Sequence, residues 1–264
     1  MTDLPNKLIG ILGGLGPAAG IALHQRIIAN TKAHKDQEHL PVIHCSFSNE
    51  ISDRSAYILG KSNINPAYEA FNIMKVLAHA SDYPDNELFV GIPCATFHSP
   101  IIFDPFMSMC SHTYPSIHVL NMIQLTAQYI SNTYPFIHRV GVLCTSGSRA
   151  SNVYGYWLQK YNLNLLYVDE NQQSTVHDSP VSPRAQQSLH TLVLQLIEKG
   201  AECIILGCTE LPLALPLDVI RNIPIIDPMK HLARGLINQV NPNTLLEYPS
   251  PLSSNLHKGL GYDL

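Results

Sequence analysis

Short, continuously apolar runs alternate with longer helical patterns, and this alternation constrains the fold of the chain more than any other feature. Because the runs are not interrupted by polar residues, they predict parallel strands that are buried on both faces. The predicted strands lie at residues 7–12, 42–46, 88–92, 117–120, 139–143, 165–168, 203–206 and 223–226. Helices are predicted near residues 18–33, 66–80, 121–132, 150–161, 184–199 and 229–238. Strands and helices in this order form βαβ units with right-handed crossovers, so the predicted fold is α/β.

The composition supports a large buried core and argues against several classes of protein. Charged residues make up 14 % of the 264-residue chain, against about 25 % in an average soluble protein, and apolar residues make up 45 %. These values exclude an intrinsically disordered chain. The formal net charge is −4 and no basic stripe is present, so the sequence predicts no nucleic-acid partner.

Membrane segments and metal sites are not indicated either. No apolar run approaches the ~18 residues of a membrane span, and residues 1–7 lack the basic start and apolar run of a secretion signal. We therefore expect a soluble, cytoplasmic protein with no membrane partner, whose six cysteines are reduced thiols. The cysteines form no CxxC pair and the 13 histidines form no HExxH motif, so no metal site is predicted.

A weak internal duplication predicts two similar lobes that face one another. Residues 9–14 (IGILGG) resemble residues 140–145 (VGVLCT), and residues 91–96 (GIPCAT) resemble residues 206–209 (LGCT). We expect residues 1–119 plus 229–264 to form the first lobe and residues 120–228 the second, with an irregular tail from residue 241 onward. Open α/β sheets bind ligands at the carboxyl ends of their strands, so the active site is expected in the crevice between the lobes.

Cys94 and Cys208 are the candidate catalytic residues. Each follows an apolar strand and precedes a predicted helix start, where backbone N–H groups and the helix dipole lower a thiol pKa from ~8.5 toward neutrality. Two such thiols on opposite sides of one pocket form an acid–base pair: a thiolate removes a proton from carbon, and a thiol delivers one to the opposite face. The alternative is that both cysteines only pack in the core, which is the interpretation preferred for Cys45, Cys144 and Cys203.

Further residues near the predicted strand ends are candidates for substrate binding. Residues 13–17 (GGLGP) either hold a carboxylate or phosphate with backbone groups or only turn the chain, and the same alternatives apply to residues 145–148 (TSGS). Arg54 can bind a substrate carboxylate bidentately, although many loop arginines are solvated or paired with an aspartate. His98 and Glu210 follow the two cysteines closely and can hydrogen-bond a thiol or the partner lobe, unless they cap helices or lie exposed.

Several segments together resemble the cofactor-independent aspartate/glutamate racemase superfamily, most closely its aspartate racemase branch. They are residues 9–17 (IGILGGLGP), 48–60 (SNEISDRSAYILG), 92–98 (IPCATFH), 140–147 (VGVLCTSG), 200–212 (GAECIILGCTELP) and 223–228 (IPIIDP). The GCTE segment with its flanking GAECII is specific, whereas the glycine loop alone is not. The resemblance implies two pseudo-symmetric α/β lobes, a small amino-acid substrate, no pyridoxal phosphate or other cofactor, no metal, and a two-base reaction at the substrate Cα. We further expect a homodimer.

The resemblance also implies roles for particular residues. Thr96, Thr209 and backbone groups near Leu15 hold the α-carboxylate, and Arg54 holds a side-chain carboxylate. The first cysteine takes the proton of the D-substrate and the second that of the L-substrate. The predicted substrate-binding set is completed by Ala95, Phe97 and Thr145, with His98 and Glu210 in supporting positions.

The sequence departs from the family pattern in two places. Ala95 stands where the family commonly has an asparagine that helps hold the amino-acid head group, and Phe97 stands where it has an alanine. Residues 171–184 offer no evident counterpart of the lysine that meets a substrate carboxylate in aspartate racemases. We therefore expect relaxed specificity, with Phe97 beside Cys94 favouring a compact side chain or an apolar stem.

Other functions remain as alternatives at this point. Within the enzymes, they are a hydantoin racemase, a maleate isomerase or a malonate-type decarboxylase, the last disfavoured because both cysteines are present. A non-catalytic amino-acid-binding relative is a different class, which the two departures motivate. A hydrolase based on Cys94 and His98 is the weakest alternative, since no orienting third residue stands at a readable spacing.

Overall fold

Two β-sheets, built mainly from parallel strands, form the centre of the computed structural model, which describes residues 6–82, 84–177 and 183–248. The first sheet has the order β2-β1-β3-β4 and consists of β1 (Lys7–Gly13), β2 (Val42–Ser46), β3 (Glu87–Gly91) and β4 (Ile117–Leu120). The second has the order β6-β5-β7-β9-β8 and consists of β5 (Arg139–Leu143), β6 (Asn164–Tyr167), β7 (Cys203–Leu206), β8 (Val219–Ile220) and β9 (Ile223–Ile226).

Helices cover the sheets and connect most of their strands. In chain order they are α1 (Pro17–Asn30), α2 (Arg54–Ile58), α3 (Pro66–Ala80), α4 (Pro100–Thr113), α5 (Met122–Thr133), α6 (Ser146–Ala150), α7 (Val153–Lys160), α8 (Gln173–His177), α9 (Pro183–Glu198), α10 (Leu211–Ala214) and α11 (Pro228–Val240). In the described part of the chain, no helix is long and apolar enough to cross a membrane.

The two sheets repeat one strand order, which confirms the prediction of two similar α/β lobes. The order β2-β1-β3-β4 of the first lobe matches β6-β5-β7-β9 of the second, and all strand pairs within these two sets are parallel. The second sheet differs by the short β8, which pairs antiparallel with β9 after a turn at Arg221 and Asn222. Because of this match, β3 and β7 occupy equivalent positions in the two lobes.

The continuous apolar runs are explained by cores on both faces of each sheet. In β1, Ile9 and Ile11 face a central core, whereas Leu8 and Leu12 face the outer core of the first lobe. Strand β7 is divided in the same way, because Cys203 and Ile205 join the same central core that β1 joins. A strand with two buried faces needs apolar residues at every position. The central core therefore packs the two lobes together.

All strands predicted from the sequence are present, with ends that agree to within one residue. The predicted helices also form, but the pattern does not predict α4, whose interior contains Pro105. Proline cannot donate to the carbonyl four residues earlier, and this normally disfavours a helix. The carbonyl of Ile101 is instead satisfied by the side-chain amide of Asn65, at 3.1 Å, while the same side chain caps α3 by accepting from Ala67 N–H. A contact between distant residues thus makes the helix possible.

Helix α11 packs against α1, α5 and the strand β3. Its N-cap, Asp227, accepts from the backbone N–H of Met229 and forms an ion pair with Arg26 of α1 at 2.6 Å. This contact returns the chain to the first lobe after the last strand of the second. The division into residues 1–119 plus 229–264 and 120–228 stays a prediction, and residues 249–264 of the expected tail lie outside the described residues.

Candidate active site

Cys94 and Cys208 lie just beyond the carboxyl ends of the equivalent strands β3 and β7. The side chain of Cys94 is buried and that of Cys208 is partly buried. The two thiols are close enough to interact electrostatically, since negative charge on Cys94 raises the pKa of Cys208. The fold therefore brings together the two cysteines that the internal duplication singled out.

The pKa of Cys208 does not follow the prediction of a lowered value. Burial raises it to about 11, and this effect exceeds the lowering by the hydrogen bond from the backbone N–H of Glu210 and by the charge of Arg54. The helical segments that follow the cysteines are also short: a single turn, Ala95–His98, after Cys94, and α10 after Cys208. So short a helix contributes little dipole, and desolvation prevails. With a pKa of about 11, Cys208 is a thiol at neutral pH.

His98 fixes the backbone of Cys94 and does not act on its thiol. The backbone N–H of Met122, at the start of α5, donates to Nε2 of His98 at 3.3 Å, so Nδ1 carries the proton. Nδ1 then donates to the carbonyl oxygen of Cys94 at 2.9 Å. Burial lowers the pKa of His98 to about 4, so the ring is neutral at physiological pH. Since both ring nitrogens are bonded to backbone groups, the arrangement argues against a Cys94–His98 hydrolase.

Three hydroxyl groups connect the two lobes beside the cysteines. Oγ1 of Thr96 lies 3.0 Å from Oγ1 of Thr145 and 2.9 Å from Oγ of Ser148, and the latter two oxygens are 3.1 Å apart. Thr145 is also the N-cap of α6, because its hydroxyl accepts from Ser148 N–H. Ser148 was not singled out by sequence reasoning, although it belongs to the TSGS segment. The Thr96 hydroxyl thus bonds two residues of the second lobe, whereas the family resemblance implies a substrate carboxylate as its partner.

Helices α2 and α6 approach each other closely at the same crevice. A Cβ atom at Gly147 would lie 2.6 Å from Oγ and 2.8 Å from Cα of Ser55. Only a glycine fits at this distance, so the glycine of the TSGS segment is explained by contact between the lobes. The contact brings α2, and Arg54 at its start, toward the carboxyl end of β5.

Arg54 presents a positive charge that no acidic side chain neutralises within the described residues. It opens α2 directly after the N-cap Asp53, rather than lying within a loop as predicted. Its guanidinium donates from Nη1 to the carbonyl of Ser52 at 3.3 Å and from Nη2 to that of Leu15 at 3.1 Å. Its Nε is buried and has no hydrogen-bond partner in the described part of the molecule. A buried, unpaired N–H of this kind is costly unless an anion completes it.

The glycine-rich loop after β1 is shaped by the neighbouring strand β2. Gly14 has a φ of +93°, and a Cβ atom there would lie 2.9 Å from the backbone N of Phe47. The side chain of Leu15 is buried, so the loop offers backbone groups to the crevice. Because the Leu15 carbonyl accepts from Arg54, the loop positions the guanidinium.

Tyr154 supports the backbone before Cys208 and was not anticipated from the sequence. Its hydroxyl donates to the carbonyl of Gly207 at 3.0 Å, and the side chain is fully buried. A Cβ atom at Gly207 would lie 2.9 Å from the Tyr154 ring, so the strand end and the ring are in close contact. The Gly207 N–H also donates to the carbonyl of Leu143 at 2.6 Å. The backbone N–H and the carbonyl of Gly207 are therefore both held in place directly before Cys208.

The remaining predicted residues divide into core and crevice positions. Phe97 is fully buried in the first-lobe core, edge to face with Phe106 at 5.3 Å between ring centroids, so the expectation that it limits a substrate side chain is wrong for this conformation. Ala95 is buried in the central core, and Thr209 is buried beside Cys208. Glu210 is exposed, and its carboxylate faces the glycine loop of the first lobe.

Metal ligands are not clustered in the described part of the chain, where no group of three or more His, Cys, Asp or Glu side chains could hold a metal ion. Residues 171–184, which offer no counterpart of the family's lysine, contain no lysine at all, and residues 178–182 of this segment lie outside the described residues. In the second lobe, a positive charge follows Ser148 in the sequence at Arg149. Its Nη1 donates to the carbonyl of Val168 at 3.0 Å and to Oε1 of Gln173 at 3.1 Å.

Comparison with known proteins identifies a family and a shared fold. A family model described as Asp/Glu/hydantoin racemase matches residues 12–236. An aspartate racemase from Picrophilus torridus has a similar structure, with a TM-score of 0.75 and 24 % identity over 92 % of this chain and 96 % of that one. An aspartate racemase homologue from Pyrococcus horikoshii gives a TM-score of 0.66, with 18 % identity over 88 % of this chain and 98 % of that one. A glutamate racemase from Francisella tularensis, solved with D-glutamate, gives 0.63, with 18 % identity over 93 % of this chain and 85 % of that one.

Proposed function

The chain belongs to the Asp/Glu/hydantoin racemase family, and we propose that it is a cofactor-independent amino-acid racemase in which Cys94 and Cys208 are the two bases. Family membership supports a racemase, and hence an isomerase. The identity of the bases and the choice of aspartate, glutamate or a related small amino acid are our proposal.

The observation that carries the proposal is the matched placement of the two thiols. Cys94 and Cys208 follow equivalent strands of two sheets with the same order, and they interact electrostatically across the crevice. Inversion at a carbon needs one group to remove a proton from one face and another to return a proton to the opposite face. Two thiols in lobes that face each other can meet this requirement, whereas one base held in a single lobe reaches only one face of Cα.

The proposed reaction moves one proton at each face of the substrate Cα. One cysteine, as thiolate, takes the Cα proton, and the electron pair of the C–H bond remains on the substrate as a carbanion delocalised into the α-carboxylate. The other cysteine, as thiol, gives its proton to the opposite face and is left as thiolate. The charges of the two sulfur atoms are thereby exchanged, and the site is ready for the other enantiomer. The family resemblance assigns the D-substrate proton to Cys94 and the L-substrate proton to Cys208.

Binding groups around the thiols supply the electrostatic stabilisation that a cofactor would otherwise give. Arg54, with its unpaired Nε and no acidic partner in the described residues, receives the side-chain carboxylate of an acidic substrate. Thr209 and backbone groups of the loop near Leu15 hold the α-carboxylate, with Thr96 joining them if its hydroxyl turns from the second lobe. Preorganised donors at a developing negative charge commonly provide the largest part of catalysis.

The proposal is tested by single substitutions of the two cysteines. Cys94→Ser and Cys208→Ser should each abolish racemisation of the separate L and D enantiomers of aspartate and glutamate. A serine hydroxyl is too weakly acidic to supply the base. Racemisation is followed by circular dichroism and by deuterium incorporation at Cα in D2O. Cys45→Ser, at a half-buried strand position outside the crevice, is the matched control and should remain active. Full racemisation by either active-site variant would refute the two-base mechanism.

The departure from the family pattern at Ala95 motivates one alternative, a non-catalytic amino-acid-binding protein. Such a protein would bind the amino acids but exchange no Cα proton with solvent, so the same D2O experiment separates the two functions. We further propose that the protein acts in the cytoplasm as a homodimer, for which light scattering after size-exclusion chromatography is the test.

A further inference from the structure

Glu210 extends from the second lobe toward the first across the crevice. It follows Cys208 by two positions, and its backbone N–H bonds the Cys208 thiol. Its carboxylate oxygen Oε1 lies 3.5 Å from the position of a Cβ atom built on Gly16, in the glycine-rich loop of the first lobe. The carboxylate therefore lies beside the glycine-rich loop, and its charge acts on the Cys208 thiol.

The negative charge of Glu210 is not compensated by the protein. Within the described residues its carboxylate forms no ion pair and no hydrogen bond, and the side chain is exposed. Arg54 binds the carbonyl of Leu15, the residue next to Gly16, so the two opposite charges border the same loop. They are nevertheless not paired with each other in the described structure. Two unpaired opposite charges at one crevice are complementary to a zwitterion.

We propose that Glu210 binds the α-ammonium group of the substrate, while Arg54 binds a carboxylate of the same molecule. This inference rests on the proposed racemase function and names the recognition element for an α-amino acid. An ammonium group held by Glu210 lies in the second lobe, two positions along the chain from Cys208. Bound there, the ammonium offsets the charge of Glu210, which otherwise raises the pKa of Cys208. Substrate binding and formation of the Cys208 thiolate are thereby coupled.

The test compares two ligands that differ only in the ammonium group. DL-aspartate and succinate have the same two carboxylates, and the racemic amino acid does not change composition during turnover. Both are titrated calorimetrically into the wild-type protein and into Glu210→Gln, which keeps the shape of the side chain and removes its charge. We expect the affinity for DL-aspartate to fall about five- to tenfold, the difference between a charge-assisted and a neutral hydrogen bond. The affinity for succinate should stay the same or increase, because a negative charge near a dianion is removed.

A matched control and a second readout separate recognition from a structural effect. Glu198→Gln changes an exposed glutamate at the end of α9 and should leave both affinities unchanged. The groups acting on Cys208 are Glu210, Cys94 and Arg54, so Glu210→Gln should lower the apparent pKa of Cys208 in alkylation by iodoacetamide, followed by peptide mass spectrometry. A change in folding alone would alter the alkylation of both Cys94 and Cys208 and would alter the affinity for both ligands.

The inference is overturned if Glu210→Gln weakens DL-aspartate and succinate by the same factor, or weakens neither. It is also overturned if the wild-type protein binds succinate but not DL-aspartate. Failure of the proposed function gives a different result, namely binding of DL-aspartate that is weakened by Glu210→Gln without any exchange of the Cα proton in D2O. In that case the recognition element stands and the racemase does not.

Discussion

Lowering the pH from 7 to 5 should destabilise the protein substantially, because His98 and His231 are buried as neutral imidazoles. Burial lowers the pKa of His98 to about 4 and that of His231 to about 3. His98 is bonded to the backbone of Cys94 and Met122, and His231 is stacked on Tyr129 and lies 2.8 Å from the hydroxyl of Tyr248. His98 would lose the bond from Met122 N–H on gaining a proton at Nε2, and burial together with the charges of Lys230 and Arg234 opposes a charge on His231.

The magnitude follows from linkage between protonation and unfolding. In the unfolded chain each imidazole has a pKa of about 6.5 and is protonated at pH 5, whereas in the native protein both stay neutral. The unfolded state then binds more protons, so stability is present above pH 6.5 and is lost as the pH falls. Over 1.5 pH units at about 1.36 kcal/mol per unit, each histidine lowers the free energy of unfolding by about 2 kcal/mol. Together they remove about 4 kcal/mol, a large part of the ~5–15 kcal/mol of a typical protein.

Urea unfolding at pH 7, 6 and 5, monitored by the fluorescence of Trp157, measures this loss. His98→Gln removes one titrating ring and should reduce the pH dependence by about half, whereas His34→Gln, at an exposed position, should leave it unchanged. NMR titration of the histidine ring signals in the wild-type protein provides an independent readout if the variant does not fold. A free energy of unfolding that stays constant between pH 7 and 5 would refute the assignment of buried neutral rings.

Three further outcomes test the crevice. Arg54→Ala should lower kcat/KM for aspartate and glutamate more than for neutral amino acids, and equal losses would make Arg54 a structural residue. Thr96→Val should cost about 1–3 kcal/mol in the free energy of unfolding, because two hydroxyls lose a partner across the lobes, and should change KM. Thr126→Val, which removes only a bond within α5, should leave KM unchanged. Activity should survive dialysis against a chelator and treatment with hydroxylamine but be lost with iodoacetamide; restoration by a metal after chelation would contradict cofactor independence.

The strands and the pair of cysteines could be predicted because their signals are local in sequence. A strand buried on both faces must be apolar at every position, so each run marks its own strand. The GGLGP and GCTE segments mark the loops at strand ends, where ligands bind in this fold class. The repeated Cys–Thr loops then indicate that Cys94 and Cys208 face a common crevice. These inferences need no knowledge of which distant residues meet.

Contacts between distant segments were decided only by the tertiary structure. Asn65 compensates Pro105 in α4, Ser148 joins Thr96 across the lobes, and Phe97 turns into the core rather than toward the crevice. The thiol of Cys208 is likewise governed by the burial that the assembled lobes impose, which outweighs the local effect of a following helix turn. A sequence pattern reports the environment along one element, whereas desolvation and hydrogen-bond partners depend on what packs against that element from elsewhere in the chain.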